Sequence, residues 1–173
     1  SLLFIMIAMY TLSTMQPCDL PEELDIQRKA YDDNLQESLT VIAQRLKQAS
    51  NLAIVAKDQY GICGYLFSYR PQIGAITALD DTFNSPDHSD CLYLHNFAVA
   101  PYTRKRGVGP DLVKHKLSMA RQASLQQCSL VSMQNSASFW QRIGFKPQLL
   151  TNQQQKRALK SYGVPAVYMQ RSL

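Results

Sequence analysis

No Cys-x-x-Cys pair occurs in this sequence, and its three histidines, His88, His95 and His115, complete no zinc-ligand pattern. A structural or catalytic zinc site is therefore not expected. The four cysteines, Cys18, Cys63, Cys91 and Cys128, are scattered and read as reduced, partly buried thiols of a cytoplasmic protein. No apolar run approaches the ~20 residues of a membrane span. The opening "SLLFIMIAMY" is too short, has no basic flank and is followed by no small-residue cleavage site. Residues 1–9 are set aside as an apolar N-terminal extension, and residues 10–173 are taken as one domain with no membrane partner. Internal repeats and low-complexity linkers are missing. So are both common glycine-rich phosphate signatures, G-x-x-x-x-G-K-[ST] and G-x-G-x-x-G. Charge is sparse, at 18% of residues with a net +5, so the chain is neither a disordered polyelectrolyte nor strongly basic.

What remains is a globular chain, 46% hydrophobic over 173 residues, with material for a sizeable core. Tyr10 to Met15 predicts a first strand. "DLPEELDIQRKAY" opens a helix, with Asp19 as cap, Pro21 in the first turn and Glu22 three residues after the cap. "SLTVIAQRLKQAS" places Leu39, Ile42, Ala43 and Leu46 on one helical face. "LAIVAKD" and "ICGYLFSYR" predict a hairpin, and residues 71–90 a long irregular segment. Strand "CLYLHNFAVA" and helix "GPDLVKHKLSMARQAS" follow, the helix striped by Val113, Leu117 and Ala120. Strand "QCSLVSM", helix "SASFWQRI" and strands "GFKPQLL" and "AVYMQRSL" complete the chain. This order predicts an α/β (α+β) domain around a mixed, mostly antiparallel central sheet flanked by helices, with one parallel step.

"APYTRKRGVGPDL" supplies Arg104, Lys105, Arg106, Gly107, Val108 and Gly109 between a strand and a helix expected to begin at Pro110. Glycines let the backbone approach an anion, and the free amides and dipole of a helix start attract phosphate. A basic surface loop before an ordinary helix would have the same composition. A second segment, "SLVSMQNSASFWQRIGF", breaks that balance. Its strand, polar break and short aromatic helix stand in a fixed order after the turn.

Together "FAVAP", Arg104-x-x-Gly107-x-Gly109 and "NSASFWQRIGF" resemble the signature of the GNAT superfamily of acyl-coenzyme A-dependent N-acyltransferases. The likeness spans roughly residues 10–150 and is densest over 92–147. It implies acetyl-CoA as co-substrate, no metal, and an amine-bearing small molecule or peptide as acceptor. By that resemblance the amides of residues 104–109 cradle the pyrophosphate, and Phe97, Ala98 and Val99 pair with the pantetheine arm. The strands 92–99 and 128–133 would be the splayed parallel pair that admits the thioester. Asn135, Ser138, Trp140 and Arg142 would line the far side of the cofactor. Asn135 and Ser138 are equally suited to helix capping.

The amine must lose a proton to attack a thioester. Relatives often place a glutamate on the strand before the turn, but "CLYLHNFAV" has no carboxylate. Period-2 alternation sets Tyr93, His95 and Phe97 on one face and Leu92, Leu94, Asn96 and Ala98 on the other. His95 is the candidate base and Tyr93 a candidate relay, with a packed structural histidine as the alternative. Trp140 stands where many relatives have a tyrosine acid, and its indole cannot donate that proton. The acceptor site is expected from the two early helices and residues 71–90, whose Asp80, Asp81, Asp87 and Asp90 would favour a cationic amine. A coenzyme A-binding sensor without catalysis is the alternative function. Nucleic-acid binding through the turn and Lys114–His115–Lys116 is not expected, because the charge concentrates at one phosphate site. The chain would be a monomer or homodimer.

Overall fold

The computed structural model describes residues 9–173; the rest of the apolar extension lies outside the described residues. Seven strands form one sheet: β1 (Thr11–Thr14), β2 (Ile54–Asp58), β3 (Gly61–Tyr69), β4 (Cys91–Val99), β5 (Gln127–Ser132), β6 (Lys146–Pro147) and β7 (Val167–Ser172). Their order is β1-β2-β3-β4-β5-β7-β6, and every neighbouring pair is antiparallel except β4–β5. Helices α1 (Leu20–Ala30), α2 (Leu39–Gln48), α3 (Val108–Gln122), α4 (Ala137–Arg142) and α5 (Gln153–Lys160) flank it. The mixed, mostly antiparallel architecture expected from the sequence is the one observed. Residues 71–90 contain no helix or strand, also as expected.

Alternation along the strands builds two cores. Val55, Tyr65, Phe67 and Tyr93 pack with Ile26, Ile42 and Leu46 of α1 and α2. Ile54, Leu66, Leu92 and Leu94 pack on the opposite face with Leu112, Val113 and Leu117 of α3 and with Trp140. Several local expectations need correction. On α2 the buried positions are Ile42, Arg45, Leu46 and then Ala49, while Leu39 and Ala43 face solvent. The stripe is rotated because it carries a buried cation, which apolar periodicity overlooks. Asp19 caps α1 by position but not by side chain; its carboxylate holds Gln16 N at 2.8 Å and Lys57 Nζ at 2.7 Å. Glu22 Oε2 accepts from Ile62 N on β3 at 2.8 Å. Both residues of the supposed capping box thus serve tertiary contacts. Helix α5 was not foreseen, since "QQQKRALK" has no buried residue and hence no apolar stripe. Lys116 is fully buried on α3, which removes it from any basic surface stripe.

Candidate active site

β4 and β5 pair only from Cys91↔Gln127 to Leu94↔Leu130. Beyond that point β4 runs on to Val99 and β5 to Ser132 without a shared register, so the sheet opens between them. A cavity of about 400 Å³ occupies the gap, lined by Phe97, Ala98 and Val99 on one side, Leu130, Val131 and Met133 on the other, and Trp140.

At the open end of β4 the chain enters the basic turn. Lys105 (φ 67°) and Gly107 (φ 85°) both adopt left-handed backbone, which curls the intervening peptides into a concave hook. Gly107 is the N-cap of α3. The amides of Lys105, Gly107, Val108 and Gly109 donate to no acceptor among the described residues. Four unpaired N–H groups, three exposed cations and a helix start suit a phosphate. The helix begins at Val108, two residues before the expected Pro110, because the glycine rather than the proline makes the turn. Pro110 still falls among the first four residues, whose N–H groups have no helical partner. At Gly109 a Cβ would stand 3.1 Å from the Phe97 ring, so close packing against β4 requires the absence of a side chain.

The middle of β4 departs from simple alternation. Leu66 pairs with Phe97 and Ser68 with Leu94, so Phe67 alone opposes two residues, His95 and Asn96. This β-bulge turns both side chains toward α1 and α2 and transfers Phe97 to the opposite face, against Phe139 and Trp140. The expected faces are therefore wrong from Asn96 onward: Asn96 and Ala98 join the side of Tyr93 and His95, and Phe97 leaves it.

The strand lacks a carboxylate, but Glu37, from the segment before α2, supplies one. His95 Nε2 lies 3.0 Å from Glu37 Oε1. Arg45 binds the same carboxylate through two nitrogens, at 2.6 and 2.7 Å. Asn96 Nδ2 donates to it at 3.3 Å and the Asp80 amide at 2.9 Å. Burial alone would raise the Glu37 pKa; the hydrogen bonds and charges of His95 and Arg45 reverse this and hold it well below the usual carboxylate range. Burial, then the Arg45 charge, lower the His95 pKa against the opposing pull of Glu37. His95 is accordingly neutral near pH 7, and Arg45 is the cation that balances Glu37. With Nε2 donating to the carboxylate, Nδ1 retains the lone pair.

Beside this trio, Glu23 is buried with neither oxygen hydrogen-bonded among the described residues, and burial raises its pKa to about 8. Tyr93 lines the cavity and packs near His95, its buried hydroxyl without a hydrogen-bond partner among the described residues. Trp140 packs among Phe97, Phe139 and Phe145. Asn135 and Ser138 are exposed and lie outside the cavity lining; Ser136, not either of them, is the N-cap of α4. Arg142 is also exposed and borders a separate groove with Lys114, Arg121 and Arg171. Of residues 71–90 only Leu79 reaches the cavity. Asp80 and Asp90 hold the Ser38 and Ile73 amides instead. Among the described residues no three metal-ligating side chains cluster, and no helix is long and apolar enough to cross a membrane.

The model of the acetyltransferase (GNAT) family matches residues 16–145, which include the bulged strand, the turn and α4. The chain belongs to the acetyltransferase (GNAT) family. It is an acyltransferase by that membership. No curated protein sequence matches it. Solved GNAT structures share its fold at low identity. N-acetylglutamate synthase from Neisseria gonorrhoeae, complexed with coenzyme A and N-acetyl-glutamate, superposes with a TM-score of 0.71 at 16% identity. That match covers 95% of this chain but only 35% of the synthase, so the chain spans about a third of that relative's length. The ribosomal-protein-S18-alanine N-acetyltransferase from Escherichia coli gives a TM-score of 0.66 at 17% identity, covering 95% of this chain and 94% of that one. The GNAT-like decarboxylase GphF, in complex with isobutyryl-CoA, gives 0.76 at 14%, covering 94% and 98%. The fold thus carries more than one reaction, and the acyl group, acceptor and mechanism of this GNAT chain have to be argued from its site.

Proposed function

We propose that the chain transfers an acetyl or other short acyl group from acyl-CoA to the primary amine of a small molecule or peptide by direct attack on the thioester. The observation that carries this reading is continuity. One gap in the sheet leads from the turn of unpaired amides, past the free end of β4, to the His95–Glu37 pair. The amides of residues 104–109 and the cations Arg104, Lys105 and Arg106 would hold the pyrophosphate, with Pro110 leaving the first turn of α3 open. Phe97, Ala98 and Val99 would accompany the pantetheine arm, and Trp140 would pack beside it. Asn135, Ser138 and Arg142 remain candidates only for the exposed adenosine end.

His95 would take the amine proton on Nδ1, while Glu37 fixes the ring through Nε2 and stabilises the imidazolium that forms. Tyr93 lies close enough to shape the acceptor side. The carbon–nitrogen bond forms, the carbon–sulfur bond breaks, and the coenzyme leaves as a thiolate that water can protonate. An acid at position 140 is not required. A strand without any carboxylate near His95 would favour the sensor alternative, and Glu37 beside His95 weakens that ground.

The test joins binding to turnover. Gly107→Val places a branched side chain at φ 85°, where a β-carbon is strained, although the space beside it is open. Coenzyme A affinity by calorimetry should fall at least about tenfold while the circular dichroism spectrum is retained. Unchanged affinity would refute the phosphate turn. A screen of wild-type acetyl-CoA turnover across amines, amino acids and peptides identifies the acceptor; hydrolysis alone would return the sensor reading. His95→Ala should lower kcat about 10²- to 10⁴-fold and remove the acid limb of the pH profile. That limb should lie below pH 6.5, the ordinary histidine value from which His95 is lowered.

A further inference from the structure

Tyr31 ends α1 as its C-cap, with extended backbone (φ −117°, ψ 143°) and its amide still bonded to Gln27 O. Its own carbonyl accepts from Gln36 Nε2 at 3.1 Å, which pins the corner between α1 and the segment carrying Glu37. The ring reaches across into the gap of the sheet and lines the same cavity as His95, Phe97 and Trp140. Its hydroxyl donates to Phe97 O at 2.7 Å and accepts from Phe97 N at 3.4 Å. Those main-chain groups lie just past the last β4–β5 pair, where the strand has no β5 partner. Tyr31 is thus a side chain that meets the free edge of β4 inside the gap.

We infer that the Tyr31 hydroxyl is an oxyanion donor for acyl transfer, acting beside the main-chain amide of Phe97, an assignment that rests on the reaction proposed above. The amide's bond to the phenol oxygen is long, at 3.4 Å, so an acyl oxygen placed beside both atoms can accept from each at ordinary hydrogen-bond length. In the resting protein the hydroxyl hydrogen points to Phe97 O; with a thioester in the gap it turns to the acyl oxygen. As the amine attacks, the carbonyl π pair moves onto that oxygen and meets both donors. When the pair returns, the carbon–sulfur bond breaks and the thiolate departs. The amine proton goes to His95 and water protonates the thiolate, so Tyr31 ends the cycle with the proton it began with. Burial raises its pKa, which keeps the donor protonated throughout the working pH range.

The experiment is Tyr31→Phe, which keeps the ring and removes only the hydroxyl. Loss of one oxyanion donor should lower kcat on the order of 10²-fold, leaving KM for acetyl-CoA and the Kd of coenzyme A essentially unchanged. The infrared stretch of carbonyl-¹³C acetyl-CoA bound to the wild type should be shifted to lower frequency, and the shift should shrink in the variant. The infrared measurement needs no acceptor. If acetyl-CoA binds both proteins and neither the stretch nor kcat changes, Tyr31 has no such role and the transferase reading stands. A kcat loss matched by an equal loss of coenzyme affinity would make Tyr31 a packing residue and overturn the inference. Failure of the wild type to bind acetyl-CoA would overturn both.

Discussion

Glu37→Gln should cost the protein stability and turnover together. The carboxylate is 6% exposed and meets Arg45, His95, Asn96 and the Asp80 amide at once. An amide keeps the shape but leaves the Arg45 guanidinium, itself 1% exposed, without its anion. Breaking a buried pair from one side costs about 3–5 kcal/mol, much more than the pair contributes relative to an apolar substitute. Denaturant unfolding should therefore show a midpoint shift of that size. Activity should fall as well, since His95 loses the group that fixes its tautomer and stabilises its charged form.

A second substitution separates the two effects. In Glu37→Gln/Arg45→Met both charges are gone, and stability should largely recover while kcat stays low. If activity recovers with stability, Glu37 is only a structural counter-ion. Arg45→Met alone should act on pH dependence. Arg45 is one of the causes lowering the His95 pKa and Glu37 opposes it, so removing the cation moves the acid limb of the rate profile to higher pH. An unmoved limb would mean that His95 is not the group that titrates.

The division between what the sequence disclosed and what it hid follows from range. The turn 104–109, the strand before it and α4 are local: each depends on residues within a few positions, so glycine placement and periodicity located them. The site above the sheet is not local. Glu37 and His95 are 58 positions apart, and no spacing connects a residue before α2 to a strand separated from it by α2, β2 and β3. A weak signal did exist. Arg45 falls at the buried positions of α2 between Ile42 and Ala49, and Glu23 and Gln27 fall on the buried face of α1. Polar side chains on apolar stripes call for partners, and two of these mark the site: Gln27 accepts from Asn96 and Arg45 donates to Glu37. The β-bulge left no trace in "CLYLHNFAV", because alternation presumes one residue per step. One extra residue was enough to exchange the faces of Asn96 and Phe97.

Lys116→Met should make the protein more stable, by an amount that depends on pH in a definite direction. The Lys116 side chain is fully buried on α3 and its Nζ has no hydrogen-bond partner among the described residues. Burial, with the Arg70 charge adding to it, lowers its pKa from 10.5 to about 7. Methionine has similar length and nothing to desolvate, so at pH 7 the gain should be about 2–4 kcal/mol. The sign of the pH term follows from proton counting. Between about pH 7 and 10.5 the unfolded chain holds a proton on Lys116 that the folded chain has released, so wild-type stability rises with pH across that window. The slope approaches about 1.4 kcal/mol per pH unit and is absent from the variant. The advantage of Lys116→Met is therefore largest near neutrality and shrinks as pH approaches 10.5, above which the lysine is neutral in both states. Glu23 has the opposite slope at lower pH. Its folded pKa of about 8 lies above the ordinary 4.5, so the stability tied to its protonated form is lost as pH rises from 4.5 to 8. Denaturation curves of wild type and Lys116→Met at pH 7, 8.5 and 10 measure the difference directly. A constant gap across the three would mean that Lys116 is charged in the fold, held by an acceptor that compensates its burial.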